Sequence, residues 1–214
     1  MKIIFNNFEF ILNNDGSIFW VDENILILGD LHLEKGTSFA EAGNFLPPYD
    51  SLETLMKLTK TLNSLKINKI IFLGDIFHDQ KGYSRLDKKE KKIFDEICDS
   101  FSIIWIYGNH DYKYAPKNIK ALNAYKLKGI NFSHIPTACD LIEISGHYHP
   151  KVSFLYLGKK ITKPCFVISK RKVILPAYGS FTGGLNVSSQ IYKKLLKCDF
   201  GIYALGGKKL IPVS

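Results

Sequence analysis

The sequence predicts an α/β fold in which two β-sheets pack face to face with helices outside, as one domain over residues 1–214. Three observations lead there. Up to about residue 112, apolar strands alternate with helical stretches in the order βαβαβ, and a polar group ends each strand. After about residue 130 the pattern changes to short apolar strands, with no repeat, low-complexity stretch or linker between the halves. At 214 residues, 46% of them hydrophobic, the chain is long enough to bury the core that such a sandwich needs.

The opening reads as a hairpin: a strand over Ile3–Leu12, a turn at Asn13-Asn14-Asp15-Gly16, and a second strand over Ser17–Val21. A short buried strand, Ile25–Leu28, runs into Gly29-Asp30-Leu31-His32. Asp50 is placed to cap a helix, with Glu53 completing a capping box, because Leu52, Leu55, Met56, Leu58, Thr59, Leu62 and Leu65 then follow a helical stripe. Strand Lys69–Leu73 runs into Gly74-Asp75, a lysine-rich helix lies around Leu86–Cys98, and strand Ser102–Tyr107 runs into Gly108-Asn109-His110-Asp111. The later strands are Leu141–Ser145, Val152–Gly158, Cys165–Ser169, Val173–Leu175 and Phe200–Leu205.

Composition removes several classes of protein. The longest uninterrupted apolar run, Ile103–Tyr107, is five residues, against roughly 20 for a bilayer span, so no membrane segment is expected. Met1–Phe10 lacks the apolar core and small-residue cleavage site of a secretory leader, which gives the cytoplasm as the expected compartment. Cys98, Cys139, Cys165 and Cys198 are dispersed and read as ordinary reduced thiols. Charge is uneven: residues 1–112 hold 12 basic and 17 acidic residues, net −5, whereas residues 113–214 hold 17 basic and 3 acidic, net +14. No carboxylate lies between Glu143 and Asp199. Such a field attracts polyanions. The 27 lysines against 2 arginines also fit a compositional bias with ordinary solvated faces. Lys113, Lys117, Lys120, Lys126 and Lys128 lie among Tyr112, Tyr114 and Tyr125, a spacing that suits phosphate contact with base stacking or, equally, half-buried packing.

In parallel α/β sheets, functional groups gather beyond the carboxyl ends of the strands. Three strand ends here deliver Asp30-x-His32, Asp75 and Asn109-His110-Asp111. His134 and Gly146-His147-Tyr148-His149 follow, and His78 lies just after Asp75, so every histidine of the chain sits in or beside these segments. Residues two apart on extended chain project to one side. Asp30 with His32, and His147 with His149, can therefore each approach one cation. Imidazoles, carboxylates and an amide suit borderline divalent metals such as Mn, Fe, Co or Zn.

In this order, D-x-H, G-D-x-x-H, G-N-H-D and G-H-x-H resemble the calcineurin-like metallophosphoesterase superfamily over Asp30–His149, more than half of the chain. The resemblance implies an α/β/β/α sandwich and a metal-dependent phosphoesterase. It implies that Asp30, His32, Asp75 and His149 hold one divalent ion and that Asp75, Asn109, His134 and His147 hold a second, with Asp75 bridging. Ions about 3.5–4 Å apart would share a hydroxide that attacks phosphorus in line. His134 is picked out by its order in the chain alone. His110 would protonate the leaving oxygen, with Asp111 orienting or polarising its ring. His78 joins the catalytic candidates either as a packing histidine or as one that positions substrate.

A narrower resemblance rests on Asp30–Lys35, Phe39–Pro48, Gly146–Pro150 and Leu175–Gly184. These segments resemble the ligase-associated DNA-damage-response phosphodiesterase/endonuclease family. That implies manganese as the metal, DNA as substrate, and DNA ligase and helicase as repair partners. Glu34 departs from the family, which commonly has glycine before the lysine, and adds a carboxylate near the candidate ligands. The Gly179–Gly184 segment reads either as a glycine-allowed turn or as a phosphate contact. Two other readings stay open: a cyclic-nucleotide or nucleotide phosphodiesterase or phosphatase using the same metals, and a metal-free scaffold of the same fold. A lost ligand would mark the scaffold, and the ligand set here is complete.

Overall fold

Lys2–Phe5 (β1) and Phe8–Leu12 (β2) fold back on each other across Asn6 and Asn7, which take left-handed φ of 50° and 65°. The sequence predicts one strand over Ile3–Leu12. Instead the asparagine pair makes a tight two-residue turn, a conformation that asparagine tolerates better than most residues. The computed structural model describes residues 1–44, 49–112, 114–116, 119–138 and 140–213. The expectations on Phe45–Pro48, Lys113, Lys117 and Cys139 lie outside the described residues.

Ile18–Trp20 (β3) and Ile25–Leu28 (β4) continue the antiparallel meander, and Lys69–Phe72 (β5), Ser102–Ile106 (β6) and Ala121–Leu122 (β7) add in parallel. The first sheet thus runs β1 to β7 in sequence order. The second is built from Ala124–Leu127 (β8), Ile130–Ser133 (β9), Glu143–Ser145 (β10), Lys151–Tyr156 (β11), Lys159–Ser169 (β12), Lys172–Ile174 (β13), Phe200–Leu205 (β14) and Leu210–Val213 (β15). Its order is β15-β14-β12-β13-β10-β9-β8, with β9, β10 and β13 parallel and β11 paired to β12.

Strand alternation sorts the core into layers. Trp20, Ile25, Ile27 and Ile71 face the second sheet, where Phe132, Ile144, Phe166 and Leu175 complete an inter-sheet core. Leu26, Leu28, Ile70 and Phe72 face outward, and helices Asp50–Ser64 (α2) and Lys88–Ser100 (α4) cover them with Leu55, Leu58, Leu62, Phe94 and Ile97. Helix Gln190–Leu196 (α5) covers the far face of the second sheet through Tyr192, Leu195 and Leu196. The result is the expected α/β/β/α sandwich. Two short helices, Lys35–Glu41 (α1) and Gly82–Arg85 (α3), complete the described elements.

The predicted cap of α2 is corrected. Tyr49 is its N-cap, and Asp50 sits inside the helix, where its carboxylate accepts the Gly36 N–H at 3.0 Å and so ties α2 to α1. The capping box is on α4 instead, where Asp87 and Glu90 satisfy each other's backbone amides at 2.7 and 3.1 Å. Met56, expected in the apolar stripe, is exposed. Among the described residues no helix is long and apolar enough to cross a membrane.

Candidate metal centre

The parallel strands of both sheets aim their carboxyl ends at one place. Beyond β4 come Asp30 and His32, beyond β5 Asp75, beyond β6 Asn109, beyond β9 His134, and beyond β10 His147 and His149. Asp30, His32, Asp75, His147 and His149 all take positive φ, between 44° and 72°. That region costs a non-glycine residue roughly 1–3 kcal/mol and persists only where the surroundings dictate it. Here the dictating bonds are Asp30 N–H to Gly74 O at 3.0 Å, His32 N–H to Asp75 O at 2.9 Å, and His147 N–H to Asp30 Oδ2 at 2.9 Å. Gly146 is required by close approach, since a Cβ there would stand 2.4 Å from Asp30 Oδ2.

The side chains gather into two adjoining clusters, Asp30–His32–His149 and Asp75–His134–His147. In the first, His32 Nε2 faces His149 Nε2 at 3.3 Å, and Asp30 Oδ1 lies 3.1 Å from His149 Nε2. In the second, His134 Nε2 lies 3.1 Å from His147 Nδ1, 3.3 Å from Asp75 Oδ2 and 2.9 Å from Asn109 Oδ1. Asp75 Oδ2 is also 3.7 Å from His32 Nε2, so one carboxylate oxygen faces both clusters.

These residues fit divalent ions. Two nitrogen ligands about 2.05 Å from a tetrahedral ion stand about 3.3 Å apart, close to the nitrogen separations found. Asp30 is fully buried, with Oδ1 among ring nitrogens, His149 Nε2 at 3.1 Å and His134 Nδ1 at 3.8 Å, and a buried carboxylate costs free energy unless a cation meets it. His134 Nδ1 faces the Leu73 carbonyl at 2.8 Å, which turns Nε2 toward the cluster.

Electrostatics prepare the same set. Burial raises the carboxyl of Asp30, but the hydrogen bond and charge of His149, with His134 and His32, bring it below the usual range. Asp75, likewise opposed by burial, is held low by the hydrogen bond and charge of His134 and by the His110 amide. Burial pulls His32 down to about 3 against the charges of Asp30 and Asp75. For His134 the balance reverses: burial lowers it, yet its bond to Asp75 and the charges of Asp30 and Asp75 raise it to about 9. The chain therefore offers two anionic carboxylates and the neutral imidazole of His32 to a cation, and a cation at the second cluster would displace the His134 proton.

His110 and His78 stack at 5.1 Å beside His32, on the side of the first cluster. His110 Nδ1 faces the His78 carbonyl at 2.9 Å, leaving Nε2 outward. Asp111 lies elsewhere. It is fully buried, and its carboxylate accepts the amides of Ile76 at 2.8 Å, Phe77 at 3.3 Å and Gly108 at 3.0 Å. The expectation that Asp111 orients the His110 ring is corrected: the chain turns its side chain inward, where it ties the Asp75 loop to the Asn109 loop. Burial and the charge of Asp75 push Asp111 up to about 6 in spite of those bonds.

Glu34 also points away from the clusters, to Ser51 Oγ at 2.8 Å and Thr37 Oγ1 at 2.6 Å. Lys35 is half-buried, and burial together with the charge of Lys151 lowers its ammonium. Neither lysine was among the expected site residues. The signal was present in their positions, directly after the D-x-H and G-H-x-H-P segments. In the Gly179–Gly184 segment no glycine takes a positive φ; Gly179 is required by close approach instead, since its amide donates to Asp30 O at 3.0 Å and a Cβ there would meet Leu31 O at 2.0 Å. Tyr114 and Tyr125 pack against buried aromatics. Beside the second cluster a cleft of about 510 Å³ opens between Tyr107, Tyr112, Asn131 and Thr137.

A family model described as calcineurin-like phosphoesterase matches residues 23–176. Among solved structures, the nuclease MPE of Pseudomonas putida is 24% identical, with 100% of this chain and 99% of that chain covered and a TM-score of 0.77. The phosphoesterase YfcE of E. coli is 15% identical over 88% of this chain and 97% of its own, with a TM-score of 0.44. Vacuolar protein sorting 29 of Cryptosporidium parvum is 16% identical over 88% and 94%, with a TM-score of 0.36. No curated protein matches the chain.

Proposed function

The chain belongs to the calcineurin-like phosphoesterase family and is a metal-dependent phosphoesterase, and from that premise we propose that it is a two-metal phosphodiesterase acting on DNA in repair. One observation carries this reading: two His/Asp clusters lie side by side with Asp75 facing both. Asp30, His32, Asp75 and His149 would hold one ion, and Asp75, Asn109, His134 and His147 the other, with manganese the metal. When bound, such ions supply positive charge for the phosphoryl oxygens and make a water acidic enough to ionise near neutral pH. Residues 1–214 act as one catalytic domain.

The chain's own groups do the rest. Water adds to phosphorus as the bond to the leaving oxygen breaks, and His110 Nε2 donates the proton that this oxygen needs. His78 holds the His110 ring through its carbonyl, 2.9 Å from Nδ1, and its own ring stacks on His110 beside the substrate's path. Lys35 and Lys151 draw the flanking phosphates, and the basic half of the chain extends that attraction. Likeness to a nuclease over the full length of both chains favours nucleic acid over small esters. DNA ligase and helicase are the partners this role implies.

The test is a substrate panel on manganese-reconstituted protein: bis(p-nitrophenyl) phosphate, p-nitrophenyl phosphate, cyclic nucleotides, and labelled single- and double-stranded DNA. The reading expects diester hydrolysis and internal or terminal cleavage of DNA. Monoester or cyclic-nucleotide turnover with intact DNA would replace it by a nucleotide-sized substrate.

A further inference from the structure

A two-stranded ribbon leaves the second sheet beside the candidate metal centre and ends in an apolar tip. β11 pairs with the first half of β12 from Lys151–Pro164 to Tyr156–Lys159, and β12 joins β14 only from Cys165 onward. The ribbon begins two residues after His149 and runs about 17 Å from Lys151 to the tip at roughly 3.3 Å per residue. Its turn, Leu157-Gly158, has positive φ at both positions, 48° and 74°. Leu155, Tyr156 and Leu157 are 78%, 59% and 85% exposed.

Nothing in the fold's stability asks for this tip. A lone two-stranded ribbon is marginal in water, and three exposed apolar side chains do nothing to hold it together. Lys159, Lys160 and Lys163 have an ordinary explanation, because charge on a free strand edge deters pairing with other chains. Leu-Tyr-Leu works against that purpose, so a second purpose is needed. Register shows the layout: Lys151, Ser153, Thr162, Leu155 and Lys160 share one face, while Tyr156, Lys159 and Lys163 share the other. Acids are absent from Ile144 to Cys198, so nothing on the ribbon repels a polyanion.

We infer that the ribbon is an arm for single-stranded nucleic acid, laying phosphates along Lys163 and Lys159 and an unpaired base on Tyr156, which shares their face. The inference rests on the phosphodiesterase reading above. A strand whose scissile phosphate sits at the metal centre meets Lys163, near the root of the ribbon, first and the tip last. An aromatic tip flanked by cations is the chemistry that holds unpaired bases and their phosphates together. A duplex hides its base faces and would leave Tyr156 without a partner.

The test uses the manganese-loaded full chain and two triple variants, Leu155→Ser/Tyr156→Ser/Leu157→Ser and Lys159→Gln/Lys160→Gln/Lys163→Gln. Probes are a labelled 20-nucleotide oligo(dT), bis(p-nitrophenyl) phosphate, and phosphatidylserine vesicles. The tip variant should lose about tenfold in kcat/KM on the oligonucleotide, and the lysine variant should show a shallower fall of oligonucleotide kcat/KM with salt. Both should hydrolyse the small diester within twofold of wild type. The single variant Tyr156→Ser repeats the measurement should the triple variant unfold. Unchanged oligonucleotide cleavage in both variants would overturn the arm while leaving the nuclease reading intact. A wild type that hydrolyses the small diester but no oligonucleotide would overturn the nucleic-acid reading and the arm with it. Vesicle binding that depends on the tip, with DNA cleavage unaffected, would assign the ribbon to a lipid surface instead.

Discussion

Replacing Asp111 by alanine separates two accounts of this residue. Its carboxylate accepts three buried backbone amides, those of Ile76, Phe77 and Gly108. Leaving a buried donor unsatisfied costs about 1–3 kcal/mol, so three orphaned amides give a loss of about 3–9 kcal/mol. Relief of repulsion from Asp75, which helps push Asp111 up to about 6, returns part of it. The net expectation is a loss of about 3 kcal/mol or more, a large share of the roughly 5–15 kcal/mol that holds a domain folded. Asp111→Asn keeps one carbonyl oxygen, and its amide opposes an N–H, so it should lose about half as much. Urea unfolding of the metal-free proteins reads this directly as a shift in midpoint. Manganese binding should weaken in both variants, because the loops that carry Asp75 and Asn109 are no longer tied together. A stability loss below about 1 kcal/mol, accompanied by a collapse of turnover, would refute the reasoning and return Asp111 to the His110 ring.

Further expectations follow from the same contacts. Lys57 stands 3.8 Å from the centre of the Tyr178 ring, and burial brings its ammonium down to about 8 despite Asp15 and Glu53. Between about pH 8 and 10.5 the unfolded chain then binds more protons than the folded one, so stability should rise with pH there; the wild type minus Lys57→Met difference should carry that rise, and an identical pH slope in the two proteins would contradict it. Gly179→Ala puts a Cβ 2.0 Å from Leu31 O, and overpacking should cost about 1–3 kcal/mol and loosen the Asp30–His32 loop. Gly183→Ala, with nothing within 4 Å of its Cβ, is the control and should melt like wild type. His110→Ala should keep its metals and lose about 10²–10⁴ in turnover on a sugar hydroxyl leaving group, with a smaller loss on p-nitrophenolate; equal losses on both leaving groups would remove His110 as proton donor.

The candidate ligands were legible because their chemistry is local. Asp30 and His32, or His147 and His149, form short motifs directly after apolar runs, and parallel strands carry such ends to one edge of a sheet. His134 was readable by order alone, and the bonds that aim its ring, to Leu73 O and Asn109 Oδ1, come from segments far away in the chain. Asp111 was misread for the opposite reason. Adjacency to His110 suggested ring contact, whereas the backbone after β6 turns that side chain inward to amides 34 and 35 residues earlier. Asp50 has the outline of a helix cap, yet its acceptor serves a different helix. The strand from Lys159 to Pro164 lacks apolar alternation, so only the pairing with β11 reveals it. Tertiary bonds settle these cases, and a single sequence shows none of them.

Metal content tests the central claim most directly. Protein purified without chelator, reconstituted with Mn²⁺ and freed of excess, should hold close to two ions per chain by elemental analysis. The Asp75→Ala variant, without the carboxylate that faces both clusters, should fall to trace occupancy and lose phosphodiester hydrolysis with it. A well-folded wild type that never rises above trace occupancy would contradict the account and leave the fold as a metal-free scaffold.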